Sequence, residues 1–287
     1  MARILGVGIA TLDIIHSVDG YPAEDSEVRA LGRHSRRGGN ATNTLHILAQ
    51  LGLDCDWMGS LADDHAAEEI LQALQSVGIR RLPTPVSRDA VTPTSFVALN
   101  RHNGSRTIVH YRDLPELSFA DFKTQDLSVY QWVHFEGRNI ADTALAMTHL
   151  RKKHPNCRIS LEVEKPRDGI EQLIPLADVL LFSKAYVTHH QYPDADTFLQ
   201  TLQAAPDSWQ IVAWGDQGAW GRIGLEAVRH CPAHQPERVV DTLGAGDVFN
   251  AGIITAGCRE DSLEAALQYA CRLAGEQCAR DGLDLPT

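Results

Sequence analysis

Hydrophobic and polar positions along this chain change period in a regular order. Residues 4–10 (ILGVGIA) make an unbroken apolar run closed by a polar turn, the pattern of a strand covered on both faces. From 39 to 51 the apolar positions 41, 45, 48 and 51 follow helical spacing, and Gly52 ends the helix. A strand over 54–60 and a helix over 64–77, closed by Gly78, come next. Later strands are predicted at 131–135, 158–163, 178–183 and 209–214, and a hairpin over 218–231. Helices are predicted at 141–153, 168–175, 184–204, 245–257 and 262–279. Strands alternating with helices in this way predict an α/β fold with a mainly parallel sheet.

Two stretches break the rhythm. Residues 13–35 hold short β-like pieces (Ile14–Val18 and Glu27–Leu31) and no helix. Residues 94–111 read as a hairpin, T-S-F-V-A-L-N and R-T-I-V-H-Y about an R-H-N-G-S turn. Together they predict a small antiparallel sheet outside the main layer. Above the carboxyl ends of a parallel sheet, such an appendage is placed to act as a lid. The expected organisation is one domain over 1–287, with a lid from about 13–35 and 94–113.

The composition narrows the function classes. Lys+Arg 26 against Asp+Glu 37 gives a net charge of −11, which disfavours a dedicated nucleic-acid binder. No apolar run reaches the length of a membrane span, so no membrane partner is expected. The six cysteines form no C-x-x-C pair and H-E-x-x-H is absent, which removes zinc-site spacing. Reduced, mostly buried thiols predict a cytoplasmic protein. Only five lysines occur, and Lys165 and Lys184 both follow strand-like runs.

The strongest chemical signal is Asp241-Thr242-Leu243-Gly244-Ala245-Gly246-Asp247, between a strand-like run (Arg238–Val240) and an apolar helix. Helix N-termini leave free N–H groups and carry partial positive charge, so they bind anions. Gly244 and Gly246 let the backbone approach a phosphate closely. Asp247 either complements the helix dipole or takes a proton beside the anion hole, the pairing phosphoryl transfer needs. Gly38-Gly39-Asn40-Ala41-Thr42-Asn43 opens a second helix, with Asn40 and Asn43 on one face. Their amides suit sugar hydroxyls, or they merely cap a turn. Other signatures are missing. No Gly precedes any Lys, so there is no P-loop. Thr11 stands where a dinucleotide fingerprint beginning at Gly6 needs its third Gly. G-x-S-x-G is absent as well.

D-T-L-G-A-G-D together with R-R-G-G-N-A-T-N resembles the ribokinase-like sugar kinases, the phosphofructokinase-B family. Y-P-A-E-D-S-E-V-R at 21–29, H-F-E-G-R-N at 134–139, E-V-E-K-P-R at 162–167 and F-S-K at 182–184 resemble the ketohexokinase branch of that family. N-G-S-R-T-I-V at 103–109 and A-W-G-D-Q-G-A at 213–219 extend the resemblance over essentially the whole chain.

The resemblance implies a three-layer αβα fold, a lid-mediated homodimer, and phosphoryl transfer from Mg-ATP to a sugar, most directly fructose at its 1-hydroxyl. Another sugar, a sugar acid or a nucleoside is the alternative acceptor, and a sugar-binding regulator without catalysis is a further one. It implies Asp247 as general base, with Gly244, Ala245 and Gly246 as the anion hole. Asp13, Asp25, Gly39, Asn40 and Asn43 would grip the sugar, and Arg106, Glu136 and Arg138 would lie near it. Lys165 and Lys184 would face ATP phosphates, while Trp214, Gly215, Gly218 and Cys278 would wall the adenine. Asp241 matches the position of an activating monovalent cation such as K⁺. One departure concerns Mg²⁺: many family members carry N-x-x-E where this chain has Ser183-Lys184-Ala185-Tyr186, which leaves Glu162 or Glu164 to act through water. Arg36 and Arg37 beside the asparagines would favour an anionic acceptor if either pointed into the site.

Overall fold

A computed structural model describes residues 2–285. Its first half runs β1 (Arg3–Val7), β2 (Thr11–Val18), β3 (Gly32–Gly38), α1 (Asn40–Gln50), β4 (Asp54–Met58), β5 (Leu61–Ala62), α2 (His65–Ser76), β6 (Arg80–Arg81), β7 (Val86–Ser87), β8 (Thr94–Asn100) and β9 (Arg106–Tyr111). There follow α3 (Phe119–Phe122), β10 (Trp132–Glu136), α4 (Ile140–Lys153), β11 (Arg158–Val163), β12 (Val179–Ser183), α5 (Lys184–His189) and α6 (Ala195–Thr201). The remainder is β13 (Trp209–Ala213), β14 (Ala219–Ile223), β15 (Arg229–Cys231), α7 (Ala245–Cys258) and α8 (Leu263–Cys278).

Nine strands form the central sheet in the order β15-β14-β13-β12-β11-β10-β1-β4-β6. Neighbours from β6 to β13 are parallel, and β14 and β15 add an antiparallel edge. Each face of the sheet buries its own apolar cluster, which is why the strands read as continuous hydrophobic runs. The helix α7 is buried from Asp247 through Gly257, which explains its apolar sequence on every side. This is the α/β architecture the alternation predicts.

The second sheet is the predicted lid, with strand order β3-β2-β8-β9. It is mixed: the β2–β3 and β8–β9 pairs are antiparallel, but β2 and β8 run parallel. Its base is tied to the main body by Asp64, which caps α2 through Ala67 N and also accepts from Thr92 N (2.7 Å) and Thr92 Oγ1 (2.6 Å).

Four local expectations are corrected. The second lid strand is Gly32–Gly38, not 27–31; its sequence GRHSRRG is polar, so backbone pairing to β2 and not side-chain burial makes it a strand. The predicted helix at 168–175 is two short 3₁₀ turns, Ile170–Gln172 and Ile174–Leu176, with Pro175 removing a donor. The helix at 184–204 is broken into α5 and α6 near Gln191, whose φ of 62° is left-handed. The run 238–240 is not a strand; Val240 N bonds instead to the Cys278 carbonyl at the end of α8.

Candidate active site

The lid and the carboxyl ends of the central strands enclose a cleft of ≈ 1140 Å³. Its walls are built from distant parts of the chain. The lid gives Asp13, Ser95, Arg106 and His110; α1 gives Asn40 and Asn43; β10 and β11 give Glu136 and Glu162; α7 gives Gly246, Asp247 and Asn250. This is the crevice that open α/β sheets offer beyond their strand ends.

Asp247 lies at the floor, 7% exposed, in the first turn of α7. Asn43 Nδ2 donates to its Oδ2 at 2.8 Å. Arg37 Nη1 donates in turn to Asn43 Oδ1 at 2.8 Å, fixing which way that amide points. Burial is the largest influence on the Asp247 carboxyl and pushes it up to about 8; Glu164 and Glu136 add to the rise, while the Asn43 hydrogen bond and Arg37 oppose it. Burial also holds the Arg37 guanidinium down, to about 10, where it remains charged at neutral pH.

Beside Asp247, Gly244 is the N-cap of α7 at φ 76°, and no side chain caps the helix. The left-handed φ favours a glycine there, and an added Cβ would also push the Leu283 side chain aside. At Gly246 a Cβ would meet nothing within 4 Å, so the opening turn of α7 faces open cleft. The result is an uncapped helix N-terminus, open to the cleft, beside a buried carboxyl that can take a proton near neutrality.

Two further carboxylates share the floor. Glu162 is buried; Asn250 Nδ2 donates to its Oε1 at 3.0 Å, and its Oε2 has no protein partner among the described residues. Burial, reinforced by Asp247, Glu136 and Glu164, raises its carboxyl well above the usual range. Glu164 accepts from Asn40 Nδ2 at 3.0 Å and lies 3.6 Å from Lys165 Nζ. On the other wall, Glu136 accepts from Ile9 N at 3.1 Å and from Arg138 at 2.7 Å. Arg138 is clasped from its far side by Glu116 at 2.9 and 3.0 Å, and Arg112 reaches Glu116 at 2.6 Å. This alternating ladder fixes the chain leaving the lid hairpin against the end of β10.

The cleft therefore gathers Asp13, Gly39, Asn40, Asn43, Arg106, Glu136, Arg138, Lys165, Gly244, Ala245, Gly246 and Asp247 of the predicted residues. Others lie outside its walls. Asp25 is exposed in the 19–31 connection, at φ 56°. The lining reaches Ser183 and Ala213, one residue short of Lys184 and Trp214, whose side chains meet at 5.4 Å. Gly215 and Gly218 form the β13–β14 turn, and Cys278 ends α8. Asp241 is held by Leu243 N at 2.8 Å and by Arg36 at 3.3 Å. Sequence reasoning missed Asn250, His110, Arg112 and Arg167 in the lining, and Glu116 behind Arg138; Asn250 stands three residues after Asp247, one helical turn on, and that spacing was the available signal.

Comparison with known proteins places this geometry. The pfkB family carbohydrate kinase model matches residues 1–287. The chain belongs to the pfkB family of carbohydrate kinases. Within that family, ketohexokinase of Mus musculus is 37% identical, over 98% of this chain and 98% of its own. The Sinorhizobium meliloti adenosine kinase structure superposes with a TM-score of 0.81 at 20% identity, covering 100% of this chain and 96% of that one. Arabidopsis thaliana ribokinase, solved with ribose and ATP, gives 0.78 at 21% identity over 98% and 94%. These likenesses bear out the ribokinase-like fold, and the chain is a ketohexokinase-like carbohydrate kinase.

Proposed function

We propose that this chain is an ATP-dependent ketohexokinase that phosphorylates D-fructose on its 1-hydroxyl. The 37% identity to the Mus musculus ketohexokinase over 98% of both chains carries the choice of acceptor. Asp247 takes the hydroxyl proton as the oxygen attacks the γ-phosphorus. Asn43 and Arg37 orient it for that role. The N–H groups at the start of α7 stabilise charge on the transferring phosphoryl group. Asp13 and Asn40 present acceptors and donors to the other hydroxyls, and Arg106 on the hairpin faces the same space. Closure of the lid excludes water, so that the phosphoryl group goes to sugar and not to solvent.

Arg37 is committed to Asn43, and Arg36 turns toward Asp241 and Asp281. Neither guanidinium lines the cleft, which favours a neutral sugar over a sugar acid. Lys165 and Arg167 line the cleft near Glu164 and suit the ATP phosphates. Lys184 and Trp214 follow directly on the lining residues Ser183 and Ala213, and the adenine would lie at that end, with Gly215, Gly218 and Cys278 as its proposed walls.

Magnesium fits the residues present. No cluster of three or more acidic, His or Cys side chains forms a metal cage among the described residues. The unpartnered, buried Glu162 Oε2 and the neighbouring Glu164 suit an ion that keeps its waters and is held mainly by phosphates. When bound, Mg²⁺ would neutralise developing phosphate charge. A monovalent cation on the Asp241 carboxylate does not fit, because the Arg36 guanidinium already stands against its Oδ2 and Leu243 N holds its Oδ1.

The lid also carries an exposed apolar pair, Phe96 and Val109 opposite each other in register, at 50% and 64% exposure. Pairing of two lids would cover this face and the edge strand β9 in a homodimer.

The test is ADP release from Mg-ATP with fructose, ribose, a nucleoside and a sugar phosphate in parallel. Fructose as the best acceptor by kcat/KM supports the reading. A preference for ribose or a nucleoside would move the chain to another branch of its family, and sugar binding without turnover would make it a regulator.

A further inference from the structure

Asp241 stands three residues before Gly244, at the head of the loop that presents the open N-terminus of α7. Both of its oxygens are engaged. Oδ1 accepts from Leu243 N at 2.8 Å, and Oδ2 faces Arg36 Nη1 at 3.3 Å and Gly282 N at 3.5 Å. The Arg36 and Asp241 side chains are only 25% and 15% exposed, so their attraction is screened little. The other arm of Arg36 reaches Asp281 at 2.6 Å. A guanidinium is planar, permanently charged and rich in donors, so one group can serve two carboxylates.

We infer that Arg36 is a built-in cation for the anion-hole loop, and that turnover by this chain is independent of potassium. A diffusible monovalent ion at Asp241 needs an open approach to a carboxylate oxygen and no other cation beside it; Arg36 takes Oδ2 and is itself that other cation, while Leu243 N holds Oδ1. Arg36 does a second thing an ion could not. It lies on β3 directly opposite Asp13 on β2, so it joins the lid strand that carries a sugar-facing carboxylate to the loop that carries the phosphate-facing amides. Arg36 is therefore a positioning residue, acting on substrate only through that loop. The inference rests on the kinase reading above, but not on which sugar is the acceptor.

The test uses the full chain in choline and in potassium chloride at equal ionic strength. With Mg-ATP and its best sugar, kcat should differ by less than about twofold; activation of about fivefold or more, the lower end of ordinary effector coupling, would overturn the inference. The thermal midpoint without substrates is a second readout. An ion that binds only the folded chain raises it, so the wild type should show the same midpoint in both salts, and a rise confined to potassium would overturn the inference. This second readout stands even if no sugar is phosphorylated, a result that would count against the kinase reading alone. Arg36→Gln should lose about 10²-fold in kcat in choline, the scale of a misplaced reacting group. It should recover part of that loss, and gain a higher midpoint, in potassium. A folded Arg36→Gln with wild-type kcat in choline would sink the positioning role.

Discussion

A carboxyl at the foot of a closed cleft is useful as a base only if it holds a proton weakly enough to start ionised and strongly enough to accept one. Burial lifts Asp247 to about 8, close to that balance. Ionisation of Asp247 is required before attack, so kcat/KM should fall as pH drops below about 8 and level off above it. The sign for stability is opposite. A carboxyl whose folded value is raised contributes stability that is full below its ordinary value of 3.8 and lost as pH rises through about 8. The thermal midpoint of the wild type should therefore decline between pH 3.8 and about 8 more steeply than that of Asp247→Asn, and run parallel to it above that. Midpoint curves parallel within that window as well would show that Asp247 is not held in its neutral form. Asp247→Asn should also lower kcat by about 10²–10⁴. A loss below about threefold would leave Asp247 as a helix-dipole partner only.

At the scale of elements, the α7 N-terminus and the lid do the positioning. Gly39 precedes α1 at φ 102°, where a Cβ would collide with the Ile9 carbonyl oxygen. Gly39→Ala should destabilise the chain by about 1–3 kcal/mol in urea unfolding and misplace Asn40 and Asn43. The Glu116 clasp on Arg138 makes a separate claim. Glu116→Gln should cost about 2 kcal/mol, as charge-assisted hydrogen bonds do, and raise the sugar KM more than it lowers kcat. Unchanged stability and KM would show that the ladder is ornamental. These elements differ in how far the sequence reveals them. The buried strands and α1, α2, α7 and α8 follow from apolar spacing, because burial selects the residues that spacing measures. The strand β3 is hidden, since GRHSRRG pairs through its backbone and buries little. Gln191 at φ 62° breaks a helical pattern that periodicity alone would continue.

For the whole molecule, the nine-stranded sheet brings together residues near 13, 40, 136, 162 and 247, which no local window of sequence connects. The motif about Asp247 and the asparagine pair were legible because each is contiguous in the chain. The Glu116–Arg138 and Asn250–Glu162 bonds were not, because their members are 22 and 88 residues apart. The proposed lid-to-lid dimer also belongs at this scale. Val109→Asp should shift the sedimentation of a dimer toward that of a monomer, since it places a charge in the centre of the apolar lid face; a wild-type chain that is monomeric at micromolar concentration would remove the proposal. The central claim is that this cleft transfers phosphate from ATP to the 1-hydroxyl of fructose with Asp247 as base. The most direct measurement is NMR of the product made from fructose by the wild type and by Asp247→Asn. Fructose 1-phosphate from the wild type, and next to none from the variant in the same time, is the predicted result. Phosphate on another carbon, or equal product from both proteins, would contradict the account.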